Sequence, residues 1–355
     1  MWCDAVPPPP KPKPPRVPPS QVAWAQDSSL VYQFTPNRKK LVNTFDRILL
    51  SYTGKDTISD AWRTFVSPQD VVAIHLTCTG HEATTPPLAL VEEVIRGLKL
   101  AGVQEKNIIV WDKFGDIMTV SGFAPRELEK EEWRLVSVLP DGGFDKDKFY
   151  FNEIAGKLIW GDCEFTGKHQ LSLSELTGES NDDKKDNAKD NPEQISNRSH
   201  FAKILTKEAT KIINIGIMSD HPDFGIYGLC ASLALSSIDN SRRFSTPGVR
   251  GDPAIPEILN NTELKSKTVL HILSGMVAQF AGGPNFNPHY TRSAGILALS
   301  TDPVTLDTLS LEKLEAWRAE ANVIPIGENA IHLKTAARLG LGANENKNMV
   351  FVPVE

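Results

Sequence analysis

Short apolar runs alternate along this chain with longer stretches in which apolar residues return every three or four positions. Val71–Thr77 is alternating-to-apolar and predicts a strand. From Pro86 to Ala101, Leu88, Val91, Val94, Ile95 and Leu98 fall on one helical face, and Gly102 is placed to stop the helix. Ile108–Trp111 predicts a second buried strand, ending at Asp112. Strand, helix and strand in that order make a βαβ unit with a right-handed crossover. Trp133–Leu139 adds a strand and Phe201–Ala209 a short helix.

Ile212–Met218 reads as a central strand, broken at Ser219-Asp220-His221-Pro222. Gly225, Gly228 and a helical run of small residues follow it. Thr268–Ser274 and Ala294–Ser300 are further strands. Asp302-Pro303 opens a helix through Arg318, with proline in its first turn. Asn329–Leu339 predicts the last helix, before Gly340-Leu341-Gly342. These elements predict an α/β fold with a mainly parallel sheet and helices on both faces. Two lobes are expected, over 30–150 and 200–355, after a proline-rich tether (1–29) and joined by a polar insertion or linker (151–199).

Composition narrows the partners. The chain has 355 residues, long enough for two domains or one large domain with an insertion. Its net charge of −6 gives no basic footprint for nucleic acid. No uninterrupted apolar run reaches the roughly 18 residues of a membrane span. PPPPKPKPPRVPP at 7–19 reads as an extended tether, because proline fixes φ and offers no N–H. Such a spacer just after Cys3 suggests an exported protein, periplasmic or lipid-anchored. Residues 178–198 have almost no apolar content and are expected to be solvated. Cys3, Cys78, Cys163 and Cys230 are far apart and form no CxxC pair, so free, mostly buried thiols are expected.

Three groups carry candidate chemistry. His75, Cys78 and His81 form HxxCxxH at a strand end, a ligand set suited to zinc or another transition metal if the chain turns at Thr79-Gly80. Asp220 and His221 stand at the carboxyl end of the central strand, where an α/β sheet places its ligand. His221 is the candidate general base, with Asp112 or Asp302 to orient it. Arg242 and Arg243 are placed to hold an anion, and Gly282-Gly283 to let backbone approach a ligand. Structural readings stand beside each: capping aspartates, surface ion pairs, a turn.

The stretches at 61–76, 97–114, 211–221, 236–244, 269–284, 295–309 and 336–342 resemble the bacterial domain-of-unknown-function 362 family. The resemblance implies an α/β protein of bacterial origin, often exported through the twin-arginine route, and implies no particular reaction. Some relatives carry an iron–sulfur insertion, whose cysteines are missing here. Three cationic positions of the family are also altered. His75 stands for a lysine, with Thr77 for the following asparagine; Ser219 stands for a lysine; Ala231 and Ser232 stand for Lys-Asn. Two functions are therefore expected. One is an exported enzyme-like protein acting on a small anionic molecule, with metal-assisted chemistry as one option. The other is a catalytically degraded member that binds a protein partner or serves as a structural subunit.

Overall fold

The computed structural model describes residues 19–124, 132–139, 141–157, 195–245 and 248–354. In chain order come β1 (Ser20–Gln26), β2 (Val31–Tyr32), β3 (Thr35–Pro36), α1 (Arg38–Thr53) and α2 (Ile58–Arg63). Then follow β4 (Val72–Leu76), α3 (Leu88–Ala101), β5 (Ile108–Phe114), α4 (Gly115–Val120) and β6 (Arg134–Leu139). Next are β7 (Phe144–Lys157), β8 (Ile195–Ala202), β9 (Lys211–His221), β10 (Gly225–Ile226) and α5 (Leu229–Ser236). The remainder is α6 (Ala254–Leu259), α7 (Thr262–Lys265), β11 (Thr268–Gln279), β12 (Thr291–Ser300), α8 (Pro303–Glu320), α9 (Ile331–Arg338) and β13 (Met349–Val352).

One nine-stranded sheet organises the molecule, in the order β13-β1-β12-β11-β9-β4-β5-β6, with β10 paired to β9. β11, β9, β4, β5 and β6 run parallel. β12 runs against both of its neighbours. The fold is therefore α/β, with a mixed and mostly parallel sheet.

The strands are apolar runs because both faces are covered, and their alternation sorts the core into two parts. Val72, Ile74 and Leu76 of β4 pack with Leu41, Phe45 and Ile48 of α1 and with Val91, Val94 and Leu98 of α3. Ala73 and Ile212 lie in the other core, with Leu229 and Leu233 of α5 and Leu306 of α8. Gly102 ends α3 at φ 103, a backbone conformation that costs glycine little.

β4 and β9 are neighbours, yet the chain leaves β4 toward β5 and β9 toward β11. That reversal is a switch point, and the loops above it are where an open sheet of this type leaves a crevice.

Several sequence expectations change here. Ser20–Gln26, inside the expected 1–29 tether, is a strand of the sheet, and Val22 and Ala23 are fully buried. Both halves of the chain build the same sheet, joined where β4 pairs β9, so separate lobes are not seen. Part of the expected linker, 151–157 and 195–199, forms the arms of the antiparallel β7–β8 ribbon. Phe201 and Ala202 extend β8, and a π-helical turn over Ile204–Glu208 replaces the expected helix. The proline-rich residues 7–18, Cys3, Cys163 and most of 178–198 lie outside the described residues.

Candidate functional site

Three strands place polar side chains in register beneath α5, and β5 adds Asp112 one residue beyond the position opposite His75. His75 of β4 lies opposite Asn214 of β9, and Asn214 lies opposite His271 of β11. Asn214 is fully buried and makes three bonds. Its Nδ2 donates to the Leu229 carbonyl at 2.9 Å and meets His271 Nδ1 at 3.1 Å, while its Oδ1 meets His75 Nδ1 at 2.7 Å. The Leu229 carbonyl can only accept, which fixes the amide orientation and with it the tautomers. His75 carries its proton on Nδ1, and His271 accepts at Nδ1. Burial, with His75 beside it, pushes the His271 pKa down to about 3.

Asp112 closes this row at β5. His75 Nε2 has no hydrogen-bond partner and lies 3.7 Å from Asp112 Oδ1. The carboxylate is satisfied elsewhere: it accepts from the Cys78 N–H at 3.0 Å, the Lys113 N–H at 2.6 Å and the Ser236 hydroxyl at 2.8 Å. Burial first, and Asp112 second, hold the Cys78 thiol well above its ordinary range. A thiol so placed is a poor nucleophile and a poor thiolate ligand.

His81 does not join His75 and Cys78. Gly80 turns the chain at φ 81, and His81 emerges on the surface, where its Nδ1 accepts from the Ala83 N–H at 3.1 Å. Its ring stacks on Phe286 with centroids 3.9 Å apart. The expected HxxCxxH convergence is thus corrected. Among the described residues, no group of three His, Cys, Asp or Glu side chains is placed to hold a metal.

The end of β9 is a separate place. Asp220 accepts from the Gly283 N–H at 2.8 Å and pairs with Arg318 of α8 at 3.3 Å. A Cβ on Gly283 would meet the Asp220 carbonyl at 2.3 Å, so the Gly282-Gly283 turn is packed on the protein itself. His221 accepts from the Asp223 N–H at 3.1 Å and stacks on Phe224 at 4.4 Å. Among the described residues no carboxylate bonds to it: Asp302 caps α8 through the Thr305 N–H at 2.9 Å, and Asp112 is held as described. Burial pushes the His221 pKa down to about 4, too low for an efficient general base near neutrality.

The arginines divide. Arg243 is buried, stacks on Phe244 and donates to the Ser199 hydroxyl and the Asn152 carbonyl, so it ties the β7–β8 ribbon to the body. Arg242 is exposed.

Asp307, which sequence reasoning missed, holds the N-terminus of α5. Its carboxylate accepts from the Leu229 N–H at 2.7 Å and the Cys230 N–H at 2.8 Å. A helix N-terminus at a switch point is an anion-binding place, and here a side chain of the protein fills it. Gly228 permits this approach, since a Cβ there would lie 2.1 Å from Asp307 Oδ1. The Thr77 hydroxyl donates to Ser232 Oγ at 2.9 Å.

Open space lies above β4 on the other side of the loops. A cleft of 680 Å³ is lined by Phe34, His81, Phe123, Phe286 and Leu88, and by Pro36, Pro86, Pro87 and Pro288. Phe34 meets Phe286 edge-on, with centroids 6.0 Å apart. Gln33, Glu82 and Ser121 supply polar atoms. Ser121 Oγ also accepts from the Gly80 N–H at 3.0 Å.

No family model and no curated protein matches the chain. Among solved structures, a crystal structure of a Thermotoga maritima protein aligns with 11% identity and a TM-score of 0.36, over 82% of this chain and 61% of that one. The chain therefore spans about three-fifths of the length of that protein. Among the described residues, no helix is long and apolar enough to cross a membrane.

Proposed function

We propose that this chain is a binding or structural subunit on an enzyme-like α/β frame, and that the cleft between Phe34, His81 and Phe286 is its recognition surface. One observation carries the proposal. Three carboxylates near the switch point are engaged inside the protein: Asp112 with two backbone N–H groups and Ser236, Asp220 with Gly283 and Arg318, Asp307 with two N–H groups of α5. Groups held this way orient the frame and leave little for a substrate. The cleft combines apolar rings with a few polar atoms, the usual chemistry of a small binding site. The resemblance to the domain-of-unknown-function 362 family, with its cationic positions replaced, agrees with a degraded member. Export or lipid anchoring through the proline-rich tract belongs to the same proposal.

A second reading rests on His75 Nε2, which faces Asp112 Oδ1 without a hydrogen bond. It keeps metal-assisted or acid–base chemistry at the buried row. Elemental analysis of the natively purified protein, made without chelator, separates the two. The binding-subunit reading expects no stoichiometric metal. A stoichiometric metal that His75→Ala loses would support the second reading.

A further inference from the structure

We propose that the aromatic cleft binds an organic cation, a small molecule carrying a methylated ammonium group. The inference rests on the cleft being the recognition surface, and it names the class of ligand.

Charge points to a cation. Among the described residues, Glu82 is the one carboxylate lining the cleft, and no lysine or arginine lines it. The Glu82 carboxylate makes no ion pair or hydrogen bond with a described residue, unlike the engaged carboxylates of the buried frame. Gly122, at φ 91, lets the Glu82 side chain lie over the backbone, since a Cβ there would meet Glu82 Cγ at 3.2 Å. His81 adds no charge in this arrangement. Its Nδ1 accepts from the Ala83 N–H at 3.1 Å and so carries no proton.

Shape points to a rounded group. His81 stacks on Phe286 with planes 19° apart and centroids 3.9 Å apart, so no flat ligand fits between them. Phe34 stands at 85° to Phe286. The open space is a corner walled by crossed rings, next to a carboxylate. A methylated ammonium is round, is drawn to aromatic rings and needs no hydrogen-bond acceptor. A primary ammonium asks for three acceptors instead. At 680 Å³ the cleft holds more than a head group, so the ligand is a small molecule that carries one.

The backbone marks the same place. β2 and β3 pair Tyr32 with Thr35, which leaves Gln33 and Phe34 as a two-residue turn at φ 45 and 66. Such a turn ordinarily takes Asn-Gly, and a bulky ring at positive φ is uncommon. The Phe34 N–H donates to Ser293 Oγ at 3.2 Å, which pins the turn to β12. Strained residues persist where their surroundings hold them, and they cluster at ligand sites. The strained residue here is the one that walls the corner.

The test titrates choline into the full chain and follows amide chemical shifts, beside dimethylbutanol, its uncharged carbon isostere. Choline is expected to move Gln33, Phe34, Ala83 and Gly122, and to bind about tenfold more tightly than the isostere. Glu82→Gln is expected to weaken choline about fivefold and to leave the isostere unchanged. Phe34→Leu is expected to weaken choline about threefold with Glu82 in place. Equal binding of the two probes at the cleft overturns the cation assignment, and so does a preference for choline that Glu82→Gln leaves intact. A cleft that takes the isostere or small aromatic fragments and no choline overturns it as well. In each of these cases the recognition surface stands and its ligand class is wrong. If neither probe nor any aromatic fragment moves the cleft amides, the recognition surface falls with it.

Discussion

Replacing Asp307 with alanine is expected to destabilise the protein most in acid, by about 4 kcal/mol near pH 4, and markedly less at pH 7.5. The variant leaves the Leu229 and Cys230 N–H groups without their acceptor inside the core, and each such group costs roughly 1–3 kcal/mol. The pH dependence follows from the carboxyl itself. Burial raises the Asp307 pKa from 3.8 to about 6 against the pull of those N–H bonds. The folded state thus holds the proton more tightly than the unfolded chain. Stability from this group is full below the unfolded pKa and is lost as pH rises through about 6. The loss amounts to roughly 2–3 kcal/mol, and Asp307→Ala does not show it. Asp46, also raised to about 6 by burial and by Glu93, gives wild type and variant alike a slope of the same sign. Urea unfolding at pH 4 and 7.5 measures the difference. A deficit that is constant across that range contradicts the raised carboxyl pKa, and a deficit under about 1 kcal/mol at both pH values contradicts the capping role.

Asn214→Leu is expected to cost about 3 kcal/mol or more at any pH near neutrality. Leucine is close in size but strands three polar partners at once: His75 Nδ1, His271 Nδ1 and the Leu229 carbonyl. All belong to fully or nearly fully buried residues, so water does not replace the lost bonds cheaply. The measurement is the shift of the urea midpoint at an unchanged slope. A deficit under about 1 kcal/mol would mean that the row contributes little, since a single unmet buried group already costs that much.

The parts of this fold legible in the sequence are those with a one-dimensional signature. β4, α3, β5, β9, β11 and α8 are apolar runs or clean helical faces bounded by Gly102, Pro222 or Asp302-Pro303. α1 had a signature too, with Leu41, Phe45, Ile48 and Leu49 along one face and Asn37 capping its start. β1 was masked by the proline-rich sequence before it, and its strand character comes from pairing with β12 and β13, more than 250 residues downstream by the register Ala23↔Leu299. Asp112 was expected to orient His221; its carboxylate instead lies 3.7 Å from His75 Nε2 and accepts from the Cys78 N–H. Asn214, which organises the row, sits 139 residues from His75 and looks like any polar residue in an apolar strand. Asp307 lies inside a helix, with no local sign that it caps another. His81 was placed with the wrong neighbours because a single glycine at φ 81 turns it outward.

The carboxyl edge of the sheet divides into a buried polar frame and an open aromatic cleft, and the division is measurable in one experiment. Amide chemical shifts of the chain lacking residues 1–18 are followed while small aromatic fragments, neutral and cationic, are added. Shifts are expected at Gln33–Thr35, His81–Ala83, Gly122 and Phe286, the residues around the cleft. Shifts centred instead on Asp112, Asp220, His221 and Gly283, with the cleft unmoved, would contradict it and return the function to the ends of β5 and β9.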